Sequence, residues 1–207
     1  EYKIRPGSLN VKKKPAIFLL HGYGSNMDDL FSFAPYFPTS HNIIAFQAPL
    51  SLGFGSYAWY PIGIDNKGEV TSELDAARSA VDRIIKNIDL LSERYCLDSE
   101  DLSILGFSQG AILSWALGFY KSNKIRRIMP ISGLLHESVN TKNKPTFIAY
   151  ASHGLEDNVI PIEKARESIL PISNNNPGIH YKEFKNGHTI SQENFSELLK
   201  WIEKTNL

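Results

Sequence analysis

The chain is poor in several things, and each shortage excludes something. It holds one cysteine, Cys96, so no internal disulfide framework exists. A lone thiol fits a reducing compartment, and the expected location is cytoplasmic. Cys96 falls near the end of a long helical pattern with no turn motif around it, so it is expected to be a packed thiol rather than a nucleophile. Neither sign of charge is in excess, because 22 basic residues face 22 acidic ones. No long-range field is available to gather nucleic acid or an anionic membrane. The one basic run, Lys12–Lys14, reads as a solvated lead-in to a strand. No apolar run approaches the roughly 20 residues that span a bilayer, so stable membrane insertion is not expected, and no signal-peptide pattern is visible. The six histidines, at 21, 41, 136, 153, 180 and 188, show no paired ligand spacing. No GxxxxGK[ST] occurs, and no GxGxxG follows a strand and opens a helix. Neither a metal nor a nucleotide cofactor is expected.

What is present reads as one α/β domain over residues 1–207. Short apolar runs at 16–20 (AIFLL) and 42–48 (NIIAFQA) read as strands buried on both faces. Residues 2–5 suit a short edge strand, and 27–37 carry a weak helical pattern. Further strands are expected at 101–107, 127–132, 145–152 and 180–184. Residues 72–95 have apolar positions at three- and four-residue steps, behind a Ser72/Asp75 pair that resembles a capping box. Helices are also expected at 109–121, 162–169 and 191–203. Strands and helices alternate, which implies a mostly parallel twisted sheet with helices on both faces. Residues 49–70, rich in glycine, proline and aromatics, read as a long irregular connection with a functional part to play. The stretch from Ser132 to Pro145 is too short for a separate cap domain.

The chemistry concentrates at Gly106-Phe107-Ser108-Gln109-Gly110. This G-x-S-x-G sits between an expected strand and an expected helix, where a sharp turn lifts a serine hydroxyl above the sheet. A serine needs a base to take its proton. Among the later histidines, His188 in Asn186-Gly187-His188-Thr189 follows the last strand and can swing over Ser108. His136, His153 and His180 are placed less suitably, and His153 suits a turn-shaping role. The acid belongs on the loop after 145–152. Asp157 and Glu156 both qualify by position, and the pattern H-G-x-x-D-x-x-x-P favours Asp157. An oxyanion hole needs two backbone N–H groups. Gln109 is the candidate for one, and Tyr23 in His21-Gly22-Tyr23-Gly24 for the other.

Six stretches resemble the phospholipase/carboxylesterase family of α/β-hydrolases, which includes the acyl-protein thioesterases. They are FLLHGYGSN (18–26), YAWYPI (57–62), LGFSQGA (105–111), ISGLL (131–135), HGLEDNVIP (153–161) and NGHTIS (186–191), in the family's order and across nearly the whole chain. The resemblance implies Ser108, Asp157 and His188 as a catalytic triad, Tyr23 and Gln109 as oxyanion donors, and no cofactor. The thioesterase branch usually reads Trp-Phe-Asp where this chain has Trp59-Tyr60-Pro61. That departure argues for small carboxylic esters rather than lipidated proteins. Phe54, Trp59, Tyr60, Leu134 and Leu135 are expected to line an open substrate pocket. The alternatives are an acyl-protein thioesterase or lysophospholipase and, from another class, a non-catalytic binding protein on a hydrolase scaffold. The expected partner is a small-molecule or lipid-like ester. A homodimer is compatible with the sequence, though nothing in it demands one.

Overall fold

The computed structural model describes residues 1–8, 11–64, 70–72, 74–120 and 123–206. The elements run β1 (Tyr2–Arg5), β2 (Lys14–Leu20), α1 (Met27–Phe31), a 3-10 turn (Ala34–Tyr36), β3 (Asn42–Phe46), β4 (Leu50–Gly53) and β5 (Ser56–Ala58). Then follow β6 (Ile62–Ile64), β7 (Val70–Ser72), α2 (Leu74–Tyr95), β8 (Leu97–Phe107), α3 (Gln109–Tyr120), β9 (Arg127–Ile131), β10 (Ile148–Gly154), α4 (Ile162–Ser173), β11 (Ile179–Phe184) and α5 (Gln192–Lys204). Seven strands form one sheet in the order β1-β3-β2-β8-β9-β10-β11. Only the edge strand β1 is antiparallel, to β3; the other pairs are parallel.

Period-2 alternation divides the strand side chains between two cores. Ala16, Phe18 and Leu20 of β2 join Ile44 of β3, Ile104 of β8 and the inner faces of α2, α3 and α4. Ile17 and Leu19 join Ile43, Leu105, Met129 and Tyr150, and this second core is closed by Leu30 of α1 and by Leu198, Trp201 and Ile202 of α5. The sheet is therefore covered on both sides, which is why its strands read as unbroken apolar runs.

Several expectations are corrected. The connection 49–70 is not irregular: it holds two hairpins, β4–β5 and β6–β7, with residues 65–69 outside the described set. Their strands are three or four residues long and stand apart from the main sheet, so period-2 patterning is too short to show. The helix expected from Ser72 begins at Leu74, and Ser72 ends β7; the expected Ser72/Asp75 capping box rests on a side chain outside the described set. Cys96 is exposed, at φ 51°, in the left-handed residue that ends α2. The chain must turn there into β8, and the turn carries the thiol outward. The helix expected to end at Ile169 runs on through Pro171 to Ser173. Pro171 has no N–H to give to the turn before it, so the helix continues past it one hydrogen bond short.

The N-terminal edge of the sheet is held by a buried polar knot. Arg127 opens β9 and is wholly buried. It pairs with Asp101 and donates to Ser103 Oγ at 2.8 Å, to the Thr205 carbonyl at 3.1 Å and to Asn206 Oδ1 at 3.0 Å. Its Nη2 lies 3.3 Å from His41 Nε2. Arginine can only donate, so Nε2 accepts, and His41 carries its proton on Nδ1, toward Ser40 Oγ at 2.9 Å. Burial, reinforced by the Arg127 charge, lowers the His41 pKa to about 4. In the unfolded chain a histidine titrates near ~6.5. Between those values the unfolded state binds the extra proton, so the fold's advantage is complete above about pH 6.5 and shrinks as pH falls toward 4. Between pH 7 and 5 the loss is on the order of 2 kcal/mol. Urea titrations at those two pH values should show this loss in the wild type and a clearly smaller one in His41→Asn. Equal losses would mean that His41 is not the group responsible.

Candidate active site

The strand order turns back on itself between β2 and β8, and the carboxyl ends of strands at such a point form a natural binding crevice. Leu20 of β2 pairs with Gly106 of β8. The residues that follow, His21-Gly22-Tyr23-Gly24 and Phe107-Ser108-Gln109, therefore emerge side by side. Ser108 is bent to φ 53°, a left-handed value that a non-glycine residue holds only under constraint. Two glycines permit the turn. A Cβ at Gly106 would overlap the Gly110 backbone, and one at Gly110 would overlap the Leu20 carbonyl. The bend is secured by Ser108 N–H to the Ile131 carbonyl at 3.0 Å and by Ala111 N–H to the Ser108 carbonyl at 2.9 Å.

Ser108 Oγ lies 2.9 Å from His188 Nε2, and His188 Nδ1 lies 2.7 Å from Asp157 Oδ2. The Asp157 side chain is fully buried. Its Oδ1 accepts the N–H groups of Val159 and Ile160, both at 2.9 Å. A carboxylate in this position can orient Nδ1–H and leave Nε2 free to accept from serine. Glu156, the positional rival, is exposed and contributes only its backbone N–H, to the Asn186 carbonyl at 3.0 Å. The Phe107 ring stands 5.0 Å from the His188 ring and limits its swing.

The loop that carries His188 is laced to the acid loop. Leu155 N–H donates to the Phe184 carbonyl at 2.8 Å. Asn186 Nδ2 donates to the carbonyls of Gly187 at 2.8 Å and Thr189 at 3.0 Å. A Cβ at Gly154 would overlap the Asn186 and Gly187 carbonyls, so only glycine lets the two loops close. Sequence reasoning took Asn186-Gly187 merely as a loop and missed Asn186 as its clasp. An Asn-Gly pair beside a candidate base is the one signal that pointed there.

The two candidate oxyanion donors flank Ser108. Gln109 is the first residue of α3, so its N–H has no partner within the helix. Tyr23 sits in the turn beside Gly22, where an added Cβ would lie 3.3 Å from Ser108 Cβ. The support behind them was not legible in advance. The Gln109 side chain is buried, with Oε1 accepting from Trp59 N–H and Nε2 donating to the Tyr60 carbonyl, both at 2.9 Å. His21 accepts the Ala48 N–H on Nε2 at 3.1 Å, which puts its proton on Nδ1, toward the Gly22 carbonyl at 2.8 Å. Burial lowers the His21 pKa and favours this neutral form. The Trp59 indole N–H donates to the His21 carbonyl at 2.8 Å.

These bonds explain where the expected pocket residues lie. Trp59, Tyr60 and Leu135 are drawn into the core rather than into a pocket beside Ser108. Phe54 is fully exposed at the tip of the β4–β5 hairpin, and Leu134 is half-buried. The cleft beside His188, about 240 Å³, is lined instead by Asp29, Leu30, Phe33, Phe107, Thr189 and Ile190. A larger cavity, about 350 Å³, lies around Gln47, Tyr57, Trp59 and Arg83. Of Ser108, Asp157 and His188, none lines this cavity and His188 alone lines the smaller cleft, which is therefore the cavity nearer the candidate site. Among the described residues no cluster of three or more His, Cys, Asp or Glu is placed to hold a metal, and no helix is long and apolar enough to cross a membrane.

A model of the phospholipase/carboxylesterase proteins matches residues 7–206. The chain belongs to the phospholipase/carboxylesterase family. A probable feruloyl esterase C from Aspergillus terreus is 31% identical over 180 residues, 84% of this chain and 60% of that protein. Feruloyl esterase D from Neurospora crassa is 27% identical over 153 residues, 73% of this chain and 50% of that protein. The chain thus spans 50–60% of the length of these two curated relatives. Among solved structures, esterase PE8 superposes with a TM-score of 0.83 at 24% identity, covering 99% of this chain and 98% of the other. Zea mays acyl-protein thioesterase 2 superposes at 0.78 and 20% identity, covering 99% and 98%. At such identities these structures establish the fold alone: this family member has the α/β-hydrolase fold, with a mostly parallel sheet. The connection 132–147 between β9 and β10 holds no helix or strand from which a cap could be built.

Proposed function

We propose that this protein is a serine carboxylesterase that hydrolyses small carboxylic esters through an acyl-enzyme on Ser108. The observation that carries the reading is the continuous chain from Ser108 Oγ through His188 to Asp157, at 2.9 and 2.7 Å, at the sheet's switch point. In this reading Ser108 Oγ attacks the ester carbonyl carbon while His188 Nε2 takes the hydroxyl proton. The Tyr23 and Gln109 N–H groups receive the oxyanion. The tetrahedral intermediate collapses, the C–O bond to the alcohol breaks, and His188 returns the proton to the leaving oxygen. Water then attacks the acyl carbon as His188 takes one of its protons. That proton passes to Ser108 Oγ as the carboxylic acid departs. Asp157 stays ionised throughout and stabilises the imidazolium.

The cleft of about 240 Å³ lies below the roughly 300–1,000 Å³ of drug-sized sites and suits a small acyl group. Phe33 and Phe107 on its walls, together with the feruloyl esterase names of the two relatives, make aryl-acyl esters a reasonable part of the range. The test is hydrolysis of p-nitrophenyl acetate, butyrate and octanoate and of methyl ferulate, with mass analysis of quenched enzyme. The expected result is turnover fastest with short or aryl acyl groups, rising with pH across the mildly acidic range because only neutral His188 accepts a proton. The acyl mass should appear on the peptide that holds Ser108. No turnover of any ester, or turnover with the acyl group on another residue, would sink the reading.

A further inference from the structure

Asp157 faces two imidazoles. Besides His188, its Oδ2 lies 3.3 Å from Nε2 of His153, whose side chain is fully buried at the end of β10. The same Nε2 lies 2.8 Å from the Ile160 carbonyl. A carbonyl only accepts, so Nε2 carries the proton and donates it to Ile160, while Asp157 Oδ2 lies beside the same N–H as a charge contact rather than a hydrogen-bond acceptor. His153 Nδ1 is buried and meets no hydrogen-bonding partner among the described residues.

We infer that His153 is a positioning residue for the proposed reaction: a buried imidazole whose Nε2–H lies against Asp157 Oδ2, steadies the carboxylate facing His188 and tempers its pull on the imidazolium. The inference rests on the esterase reading of Ser108, His188 and Asp157. Two features favour it over a role in folding the loop alone. First, His153 closes the acid loop from one nitrogen, which holds the carbonyl at 160 by a hydrogen bond and lies 3.3 Å from the carboxylate at 157. Second, His153 Nε2 lies against the same oxygen that His188 Nδ1 meets, while Oδ1 is filled by the Val159 and Ile160 N–H groups. Electron density drawn toward His153 is density withheld from His188. The other ionisable group near the ring is Glu183, its cross-strand neighbour on β11, which Arg166 of α4 holds as a carboxylate at 2.7 Å. The charged groups around His153 are thus Asp157, an ionised Glu183 tied to Arg166, and His188 when protonated.

The test compares wild type, His153→Phe and His153→Gln. The first keeps a flat ring without a donor, and the second keeps an N–H of similar reach. Two readouts are taken: the pH profile of kcat/KM on p-nitrophenyl butyrate, and the titration of the His188 ring by NMR. In His153→Phe we expect kcat to fall ~10- to 100-fold through a misplaced base, with KM nearly constant. We also expect the His188 titration to move up by about half a pH unit, because Asp157 then serves His188 alone. His153→Gln should recover most of both changes. If His153→Phe does not fold, His153→Asn, whose amide is too short for Asp157, replaces it. An unmoved His188 titration, or a lowered Tm as the sole effect, would overturn the inference. Because the NMR titration needs no turnover, it decides the matter even if every ester is refused, an outcome that would remove the esterase reading instead.

Discussion

Ser108→Ala should lose five to six orders of magnitude in kcat on p-nitrophenyl butyrate, with folding and KM little changed. Removing the nucleophile of such a triad costs on the order of 10⁶-fold, and the residue left over water comes from binding and the oxyanion donors. The substitution is also mild for the fold. The variant keeps the backbone N–H bond from position 108 to Ile131 and the carbonyl bond to Ala111, so the turn at φ 53° is still secured. The companion variant Asp157→Asn separates position from charge. Oδ1 of residue 157 accepts the N–H groups of Val159 and Ile160, and an amide would keep its oxygen there. Its NH₂ must then face His188 Nδ1, which reverses the tautomer and places a proton on Nε2, where it opposes Ser108. A drop of about 10⁴-fold is expected, the size seen when an acid holds the wrong tautomer. Steady-state rates and a Tm on each variant decide this. If Ser108→Ala keeps more than about a thousandth of the wild-type rate, the nucleophile has been misassigned.

Arg127→Ala should cost about 3–5 kcal/mol of stability, the range for breaking a buried ion pair from one side. The reason is what stays behind. Asp101 is buried, and with Arg127 gone its charge is shared only with Arg126 at 3.2 Å. The Thr205 carbonyl and Asn206 Oδ1 lose the donor that ties the end of α5 to the sheet. For a chain of this length the Tm should fall by roughly 10 °C. The double variant Arg127→Met with Asp101→Asn should recover part of the loss, since the stranded charge and not the missing attraction dominates. Guanidinium or thermal unfolding followed by circular dichroism measures both. A loss below about 1 kcal/mol in Arg127→Ala would show that the knot does not hold the sheet. Catalysis by the folded fraction should be unchanged, because the knot lies at the N-terminal edge of the sheet and Ser108 at the carboxyl edge.

The sequence by itself determined the alternation of strands and helices, the family, and the turn at Ser108. All of these are written over short distances along the chain. Unbroken apolar runs such as AIFLL at 16–20, bounded by turn residues, suit strands covered on both sides, and the glycines at 106 and 110 stand where a Cβ would strike backbone. The candidate histidine and acid could be picked out because each lies in a marked loop behind a strand.

Tertiary structure alone decided the rest, since it depends on which surfaces meet across many residues. His188 reaches Ser108 over 80 positions, and the choice between Asp157 and Glu156 turns on which carboxylate enters the interior. The aromatics at 59 and 60 look the same in sequence whether they line a pocket or fill a core. The hydrogen bonds of Gln109 to their backbones drew them inward. Cys96 was turned outward by the left-handed residue that ends α2. The two short hairpins, the second imidazole on Asp157 and the knot at Arg127 leave no periodic trace, because each is a meeting of single side chains or three-residue strands. Patterns in sequence record which face of an element is buried; contact and proton geometry are settled only when the faces are brought together.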